Sequence, residues 1–144
     1  MNVEIEFPLE FIVSGIPVSH QAKRVDSKAE WRERVKAAIR VTLPENHFAT
    51  GDSMSVTLFH FSETEMKGDI DNIIKPVLDA LGGFVYLDDK QVERVLAQKF
   101  ERKHVSDFHA PSPVLKSAID LAKPLTYIRL SNDPSEGLRH GFLF

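Results

Sequence analysis

The chain of 144 residues contains no cysteine. A disulfide framework and a thiolate zinc site are therefore both excluded. No apolar run approaches the roughly 20 residues that a membrane-spanning helix needs. The N-terminal segment Met1–Glu6 also lacks the basic and apolar regions of a signal peptide. We therefore expect a cytoplasmic protein with no membrane partner.

An excess of positive charge is also missing. The formal net charge is −3, from 21 acidic and 18 basic side chains, whereas proteins that bind many phosphates are usually basic overall. The basic residues are nevertheless clustered. Residues 20–40 hold seven basic and three acidic side chains, which gives this segment a net charge of +4. The distribution is compatible with one nucleic-acid-binding segment in a chain that is acidic as a whole.

The most informative feature of the chain is a group of carboxylates in its middle. Asp69 and Asp71 stand two residues apart, so on an extended segment both side chains point to the same side. Lys75 follows Asp71 by four residues, which places these two on one helix face. Asp88 and Asp89 follow a short apolar run. Oxygen ligands without His or Cys suit Mg²⁺ or Mn²⁺, which serve phosphoryl transfer by polarising phosphoryl oxygens and generating hydroxide.

Each of these residues also has a plain structural interpretation. Asp71 can cap the following helix by accepting a backbone N–H. Lys75 and Asp79, four residues apart, can form an ordinary helical ion pair. Asp88 and Asp89 can form a turn before a strand. Each feature alone favours the structural interpretation, but their order and spacing together indicate a metal-dependent site.

One long string carries a resemblance to a known family. It reads Asp-Ile-Asp-Asn-Ile-Ile-Lys-Pro from residue 69, Leu-Asp-Ala-Leu from residue 78 and Asp-Asp-Lys-Gln-Val from residue 88. This string resembles the RusA family of Holliday-junction resolvases and their RusA-like relatives, and a looser match extends upstream through residues 11–19 and Trp31. The resemblance implies a Mg²⁺-dependent endonuclease, with Mn²⁺ as an alternative ion, that works as a homodimer on branched DNA.

The resemblance also implies roles for individual residues. Asp69, Asp71 and Asp89 match the essential acidic residues of the family, and Lys75 matches its motif lysine. The three aspartates are expected to hold one or two metal ions. The lysine is expected to stabilise the transition-state phosphate or to orient the attacking water.

Two neighbours complete the expected site. Asp88 is a candidate fourth ligand, and Asn72 is expected to support a ligand from the second coordination shell. The segment before the first aspartate departs from the best-known resolvase, because it carries Glu63 and Glu65 where that protein is strongly basic. Two glutamates at this place would repel a phosphate backbone next to the site.

A second candidate surface is a basic stripe on the first predicted helix. The basic stripe consists of Lys28, Arg32, Lys36 and Arg40. Like charges four residues apart repel one another, so the phosphates of a nucleic acid would relieve this repulsion. The alternative is a solvated face, partly neutralised by Glu30–Arg34 and Glu33–Lys36 pairs. Lys23 and Arg24, in the preceding loop, are further candidates for phosphate contacts.

Periodicity predicts alternating strands and helices. Strands are expected at residues 3–7 and 11–13, from Met54 through Phe61, at Val92–Arg102 and at Leu125–Leu130. Helices are expected from a Ser27–Glu30 capping box to Val41, at Asn72–Leu81, and from Ser112-Pro113 to a point before Pro124. This order predicts an α/β (α+β) domain over residues 1–131, with a mixed sheet flanked by two to three helices in a RusA-like arrangement. A polar tail is expected over residues 132–144.

Two other functions remain compatible with the sequence. A module that binds branched DNA without cutting it would use the basic stripe and keep the aspartates as structural caps. A RusA-like nuclease acting on other DNA or on RNA would share the site but not the substrate. Chain direction allows the two carboxylate groups to meet at one edge of the sheet.

Overall fold

A computed structural model describes residues 3–17, 25–62, 70–101 and 108–139, without the side chains of residues 25–28 and 72. The elements are β1 (Leu9–Ser14), α1 (Val25–Thr42), β2 (Met54–Ser62), α2 (Asp71–Leu81), β3 (Val92–Glu101), α3 (Pro113–Asp120), β4 (Leu125–Ser131) and α4 (Glu136–Arg139). A 3-10 helix, Asp89–Gln91, leads into β3. Among the helices of these ranges, none combines the length and apolar character that a membrane span requires.

The four strands form one mixed sheet in the order β1-β4-β2-β3. β4 lies antiparallel to both β1 and β2, whereas β2 and β3 run parallel. Val56 in β2, for example, lies between Leu130 of β4 and Val95 of β3. Because parallel neighbours cannot be joined by a hairpin, the chain needs a crossover between them, and α2 provides it. The predicted α/β domain with a mixed sheet and flanking helices is confirmed.

The larger core lies between the sheet and a layer formed by α1 and α2. α1 contributes Trp31, Val35 and Ile39, which recur every four residues and are buried. They belong to one apolar cluster with Val77 of α2 and Val56 of the sheet. This cluster fixes both helices on the same face of the sheet.

An aromatic cluster covers the opposite face beneath α3. The rings of Phe61 and Phe100 stack with centroids 4.9 Å apart, and Tyr127 of the central strand β4 is buried beside them. Because both faces of the sheet are covered, polar residues of β2 are buried on each of them, Ser55 on the face below α3 and His60 on the opposite face.

The prediction of a strand over residues 3–7 is wrong. In this segment Val3 forms only an isolated bridge with His47. The N–H of Val3 donates to the carbonyl of Asn46, and its own carbonyl accepts the N–H of Phe48. A loop therefore satisfies the backbone that a sheet neighbour would otherwise pair, and β1 begins only after this segment.

The start of the first helix also differs from the prediction. α1 begins at Val25, so Ser27 lies inside the helix and the predicted capping box is wrong. Glu30, its proposed partner, forms an ion pair with Arg34 at 3.4 Å instead. That pair was expected from the spacing of four residues.

The far end of the chain holds more structure than the sequence indicates. The segment predicted as a tail, residues 132–144, contains α4, whose Glu136 forms an ion pair with Arg129 of β4. The part after Arg139 lies outside the described residues. α3 and β4 begin as predicted, and Ser112 caps α3 by accepting the N–H of Leu115 at 3.1 Å.

His60 is a buried titratable group in the centre of the sheet. Its Nδ1 lies 2.9 Å from the hydroxyl of Thr126. Burial lowers the pKa of His60 to about 4, whereas the unfolded chain titrates near 6.5. Between these values the unfolded state binds one more proton, so the folded protein loses stability as the pH falls through this window. The loss amounts to about 3 kcal/mol.

We expect His60→Asn to remove this pH dependence. Asparagine keeps a polar atom beside Thr126 but does not titrate. The decrease in the free energy of unfolding between pH 7 and pH 4 should therefore be smaller by about 3 kcal/mol. The smaller side chain will lower the free energy of unfolding at pH 7. Urea unfolding of both proteins at pH 7, 5.5 and 4 measures the difference. If the free energy of unfolding fell equally with pH in the two proteins, a buried and neutral His60 would be contradicted.

Candidate active site

α2 carries the first half of the candidate site. It begins at Asp71, one residue earlier than predicted, and buries Ile73 and Val77 against the core. Spacings of three and four residues separate this buried face from the outer one. Asp71, Lys75 and Asp79 lie on the outer, exposed face.

The carboxylate of Asp71 does not cap α2. The N-cap position is occupied by Ile70, which has helical dihedral angles (φ −61°, ψ −34°) and no side-chain cap hydrogen bond. Asp71 is exposed in the first turn, and it forms no ion pair with any residue that the structure describes. A carboxylate there is favoured by the helix dipole and remains accessible to a ligand.

The second half of the site is the turn that precedes β3. Asp88 caps the 3-10 helix, because its Oδ1 accepts the N–H of Lys90 at 2.9 Å. One oxygen of this carboxylate is therefore engaged in the turn, as the structural interpretation of the sequence suggests. Asp89 is the first residue of the 3-10 helix and lies beside α2.

Lys75 connects the two halves. Its ammonium lies 2.7 Å from a carboxylate oxygen of Asp79 and 3.6 Å from one of Asp89. The hydrogen bond and charge of Asp79, with a smaller contribution from Asp89, raise the pKa of Lys75, so the lysine is charged at neutral pH. Because these side chains are substantially exposed, the ion pairs contribute little to stability. They do fix where the positive charge lies.

Tyr86 supports this cluster and was not predicted from the sequence. Its ring is buried, and its hydroxyl lies 3.0 Å from the carbonyl of Leu78 and 3.4 Å from Oδ1 of Asp89. Burial, and next the charge of Asp89, raise the pKa of Tyr86, so the hydroxyl keeps its proton and acts as a donor. The available signal was a tyrosine in an apolar run just before the carboxylates, since a buried phenol needs a polar partner.

The structure describes only some of the predicted site residues. Asp71, Lys75, Asp88 and Asp89 are described in full. Outside the described residues or side chains lie Asp69, Asn72, Lys23, Arg24 and Lys28. Lys75 and Asp89 come together, and Asp71 lies one helical turn from Lys75. Within the described ranges no three carboxylate or histidine side chains are grouped closely enough to hold a metal ion.

A comparison with known families agrees with this arrangement. Residues 17–106 match the model of the family described as endodeoxyribonuclease RusA. The match covers more than half of the chain and spans α1, β2, α2 and β3. The chain belongs to the RusA family. This membership implies endodeoxyribonuclease activity on Holliday junctions, and no curated protein matches the chain.

In this RusA-family chain the basic stripe is partly engaged in contacts of its own. Arg40 lies over the ring of Phe84, 5.7 Å from its centroid, which connects the stripe to the loop after α2. Lys36 forms the expected pair with Glu33, at 3.9 Å. Arg32 is exposed. Of the three stripe residues whose side chains the structure describes, two therefore make contacts within the chain and the third is exposed to solvent.

Gly82 leaves space for the carboxylate of Asp89. Its backbone angles (φ −63°, ψ 135°) suit any residue, so the glycine is not required by the chain conformation. A Cβ at this position would lie 3.3 Å from Oδ1 of Asp89 and 3.4 Å from the carbonyl of Leu78. The first distance is short for a methyl group and the second is an ordinary van der Waals contact, so the carboxylate would have to move by a few tenths of an ångström.

We expect Gly82→Ala to lower nuclease activity roughly tenfold, because a small displacement of a reacting group has a large effect on rate. The melting temperature should change little, since alanine restricts the unfolded chain and offsets part of the crowding. Gly51→Ala is the matched control, because a Cβ there meets no atom within 4 Å. Cleavage rates and thermal melts measure both effects. An unchanged rate in Gly82→Ala would show that the position of Asp89 is not critical.

Proposed function

We propose that this chain is a divalent-metal-dependent endonuclease that hydrolyses phosphodiester bonds in Holliday junctions or related branched DNA. The observation that supports it best is the approach of Lys75 to Asp89, from two segments that the crossover brings together. Asp71 lies one turn away on the same helix face. Carboxylates beside a fixed cation, all open to solvent, suit the transfer of a phosphoryl group to water.

The donor set fits a hard cation. Asp71 is exposed and Asp89 is partly exposed, and both offer only carboxylate oxygens, as Mg²⁺ and Mn²⁺ prefer. We assign Asp69, Asp71 and Asp89 as the ligands, with Asp88 as a fourth donor through the oxygen that does not cap the turn. When bound, the ion polarises the scissile phosphate and lowers the pKa of a water molecule.

We assign to Lys75 the stabilisation of the negative charge that develops on the phosphate. It holds Asp79 at 2.7 Å but Asp89 only at 3.6 Å. Its ammonium can therefore turn to a phosphate oxygen while it keeps the shorter contact. A positive charge that is in place before the reaction stabilises the transition state more than the ground state. Asn72 is assigned to hydrogen-bond a ligand carboxylate.

We assign the binding of the DNA backbone to the basic stripe, together with Lys23 and Arg24. Because the whole chain has a net charge of −3, binding has to rely on this local concentration of positive charge and should weaken steeply with salt. Resolution of a junction requires two symmetric cuts. A homodimer with twofold symmetry supplies two equivalent sites for them.

We expect Asp71→Asn to abolish cleavage and to leave DNA binding intact or stronger, because a negative charge leaves the site. The substrates are a labelled four-way junction, the matched linear duplex, single-stranded DNA and RNA, each with Mg²⁺ or Mn²⁺. Asp120→Asn, an exposed change on α3, is the control and should cleave normally.

The outcomes of this assay separate the candidate functions. Paired symmetric nicks on the junction alone, lost in Asp71→Asn, support a resolvase. Cleavage of another substrate would support the metal site but would assign it a different substrate. Binding without cleavage by the unaltered chain would contradict the proposal and favour a module that only binds branched DNA.

Replacement of Lys75 by methionine should separate metal binding from turnover. The change removes a cation that competes for Asp89, so the rise in melting temperature caused by Mn²⁺ should grow. Turnover should fall about 100-fold or more, because a charge that stabilises the transition state is lost. Lys90→Met, at an exposed lysine in the same turn, is the control. A smaller Mn²⁺ response in Lys75→Met would argue that the lysine does not face the metal site.

A further inference from the structure

Gln91 ends the turn that precedes β3, and the mechanism above gives it no role. Its side-chain amide forms four hydrogen bonds of 2.8 Å each. Oε1 accepts the N–H groups of Leu87 and Asp88. Nε2 donates to the carbonyls of Thr50 and Asp52. The amide therefore joins the turn to the loop that precedes β2, about 40 residues earlier in the chain.

These four bonds use the full capacity of a carboxamide, which has two acceptor lone pairs and two donor hydrogens. Glutamate has no hydrogens to donate to the carbonyls of Thr50 and Asp52. Methionine has nearly the same length but makes neither set of bonds. The position thus requires an amide on a side chain of this length.

The backbone on both sides of Asp89 is fixed by this arrangement. The side chain of Asp88 accepts the N–H of Lys90. It also forms a reciprocal capping box with Gln91, in which each side chain accepts the backbone N–H of the other residue. The carboxylate of Asp89 leaves the chain between these two contacts. Its distance from the Lys75 ammonium, 3.6 Å, therefore depends on a turn whose conformation is held from both ends.

The loop on the other side of Gln91 is itself attached to the site. The N–H of Thr50 donates to the carbonyl of Val85 at 2.9 Å, and Thr50 also forms a bridge with Tyr86. Tyr86 in turn contacts Asp89 through its hydroxyl. Displacement of the loop would consequently disturb both the turn and the phenol that faces the carboxylate.

We propose that Gln91 is a positioning residue of the active site, whose amide holds the Asp89 carboxylate where a divalent metal ion can be bound. This inference rests on the proposed function. It differs from a role in folding alone, because loss of a folding contact lowers stability without changing the affinity of the folded protein for metal.

The test compares Gln91→Met with two control variants. Gln98→Met makes the same chemical change at an exposed site on β3, and Val56→Ala weakens the buried core away from the turn. Mn²⁺ binding, followed by electron paramagnetic resonance, gives a readout that is independent of catalysis. The Mn²⁺ dissociation constant of Gln91→Met should rise about 10- to 100-fold, with a parallel loss in single-turnover cleavage. Both controls should bind Mn²⁺ like the unaltered chain.

Hydrogen exchange provides a second readout. The amides of Leu87 and Asp88 should exchange faster in Gln91→Met, because they lose their acceptor. If Gln91→Met does not fold, Gln91→Asn replaces it, since the shorter side chain cannot span both segments; the same rise in the Mn²⁺ dissociation constant is expected.

Two results would overturn different claims. Unaltered Mn²⁺ affinity in a folded Gln91 variant, beside an unaltered chain that binds Mn²⁺ and cleaves DNA, would overturn the role of Gln91 alone. Failure of the unaltered chain to bind Mn²⁺ and to cleave any substrate would overturn the proposed function itself.

Discussion

The parallel pairing of β2 with β3 determines where the site lies. Two parallel neighbours start at the same end of the sheet, so the chain has to travel back between them. α2 makes this return on one face of the sheet, and its C-terminal end arrives beside the turn that opens β3. Lys75 on the outer face of α2 thereby meets Asp89, although the two segments are separated in the sequence. An antiparallel connection would not bring them together in this way.

Burial next to the site provides the rigidity that the exposed charges cannot provide. Ion pairs open to solvent are weak, so the pair of Lys75 with Asp89 does not by itself hold α2 against the turn. α2 is held by Val77 and Leu81, which are buried in the core, and the turn is held by Gln91 through the preceding loop. Charged side chains that are exposed to solvent but supported by buried residues suit a substrate as large as DNA, which has to approach from solvent.

Much of the fold could be predicted from local patterns. β3, α3 and β4 start where periodicity and the Ser112 cap place them, because these signals depend on neighbouring residues alone. The strand expected over residues 3–7 failed because an alternating pattern does not reveal whether a neighbouring strand exists. The box at Ser27 failed for a related reason: a cap motif also fits inside a helix that starts earlier.

The candidate site was harder to assemble from the sequence. The family resemblance picks out the aspartates and Lys75, and the pair with Asp79 follows from helical spacing. The contact of Lys75 with Asp89 depends on the crossover, and the two bonds that Gln91 donates depend on a loop about 40 residues away. Neither has a local signal. A glutamine at the start of a strand is an ordinary polar residue until the backbone groups around it are known.

The packing of α1 gives this protein a built-in optical probe. Trp31 is the single tryptophan of the chain and is buried where α1 meets the sheet. The ring belongs to the apolar cluster between helix and sheet, and its indole N–H has no hydrogen-bond partner among the described residues. All of the tryptophan emission therefore originates at the contact between helix and sheet. A change in that emission therefore reports on the packing of α1, which carries the basic stripe, and not directly on Asp71 and Asp89.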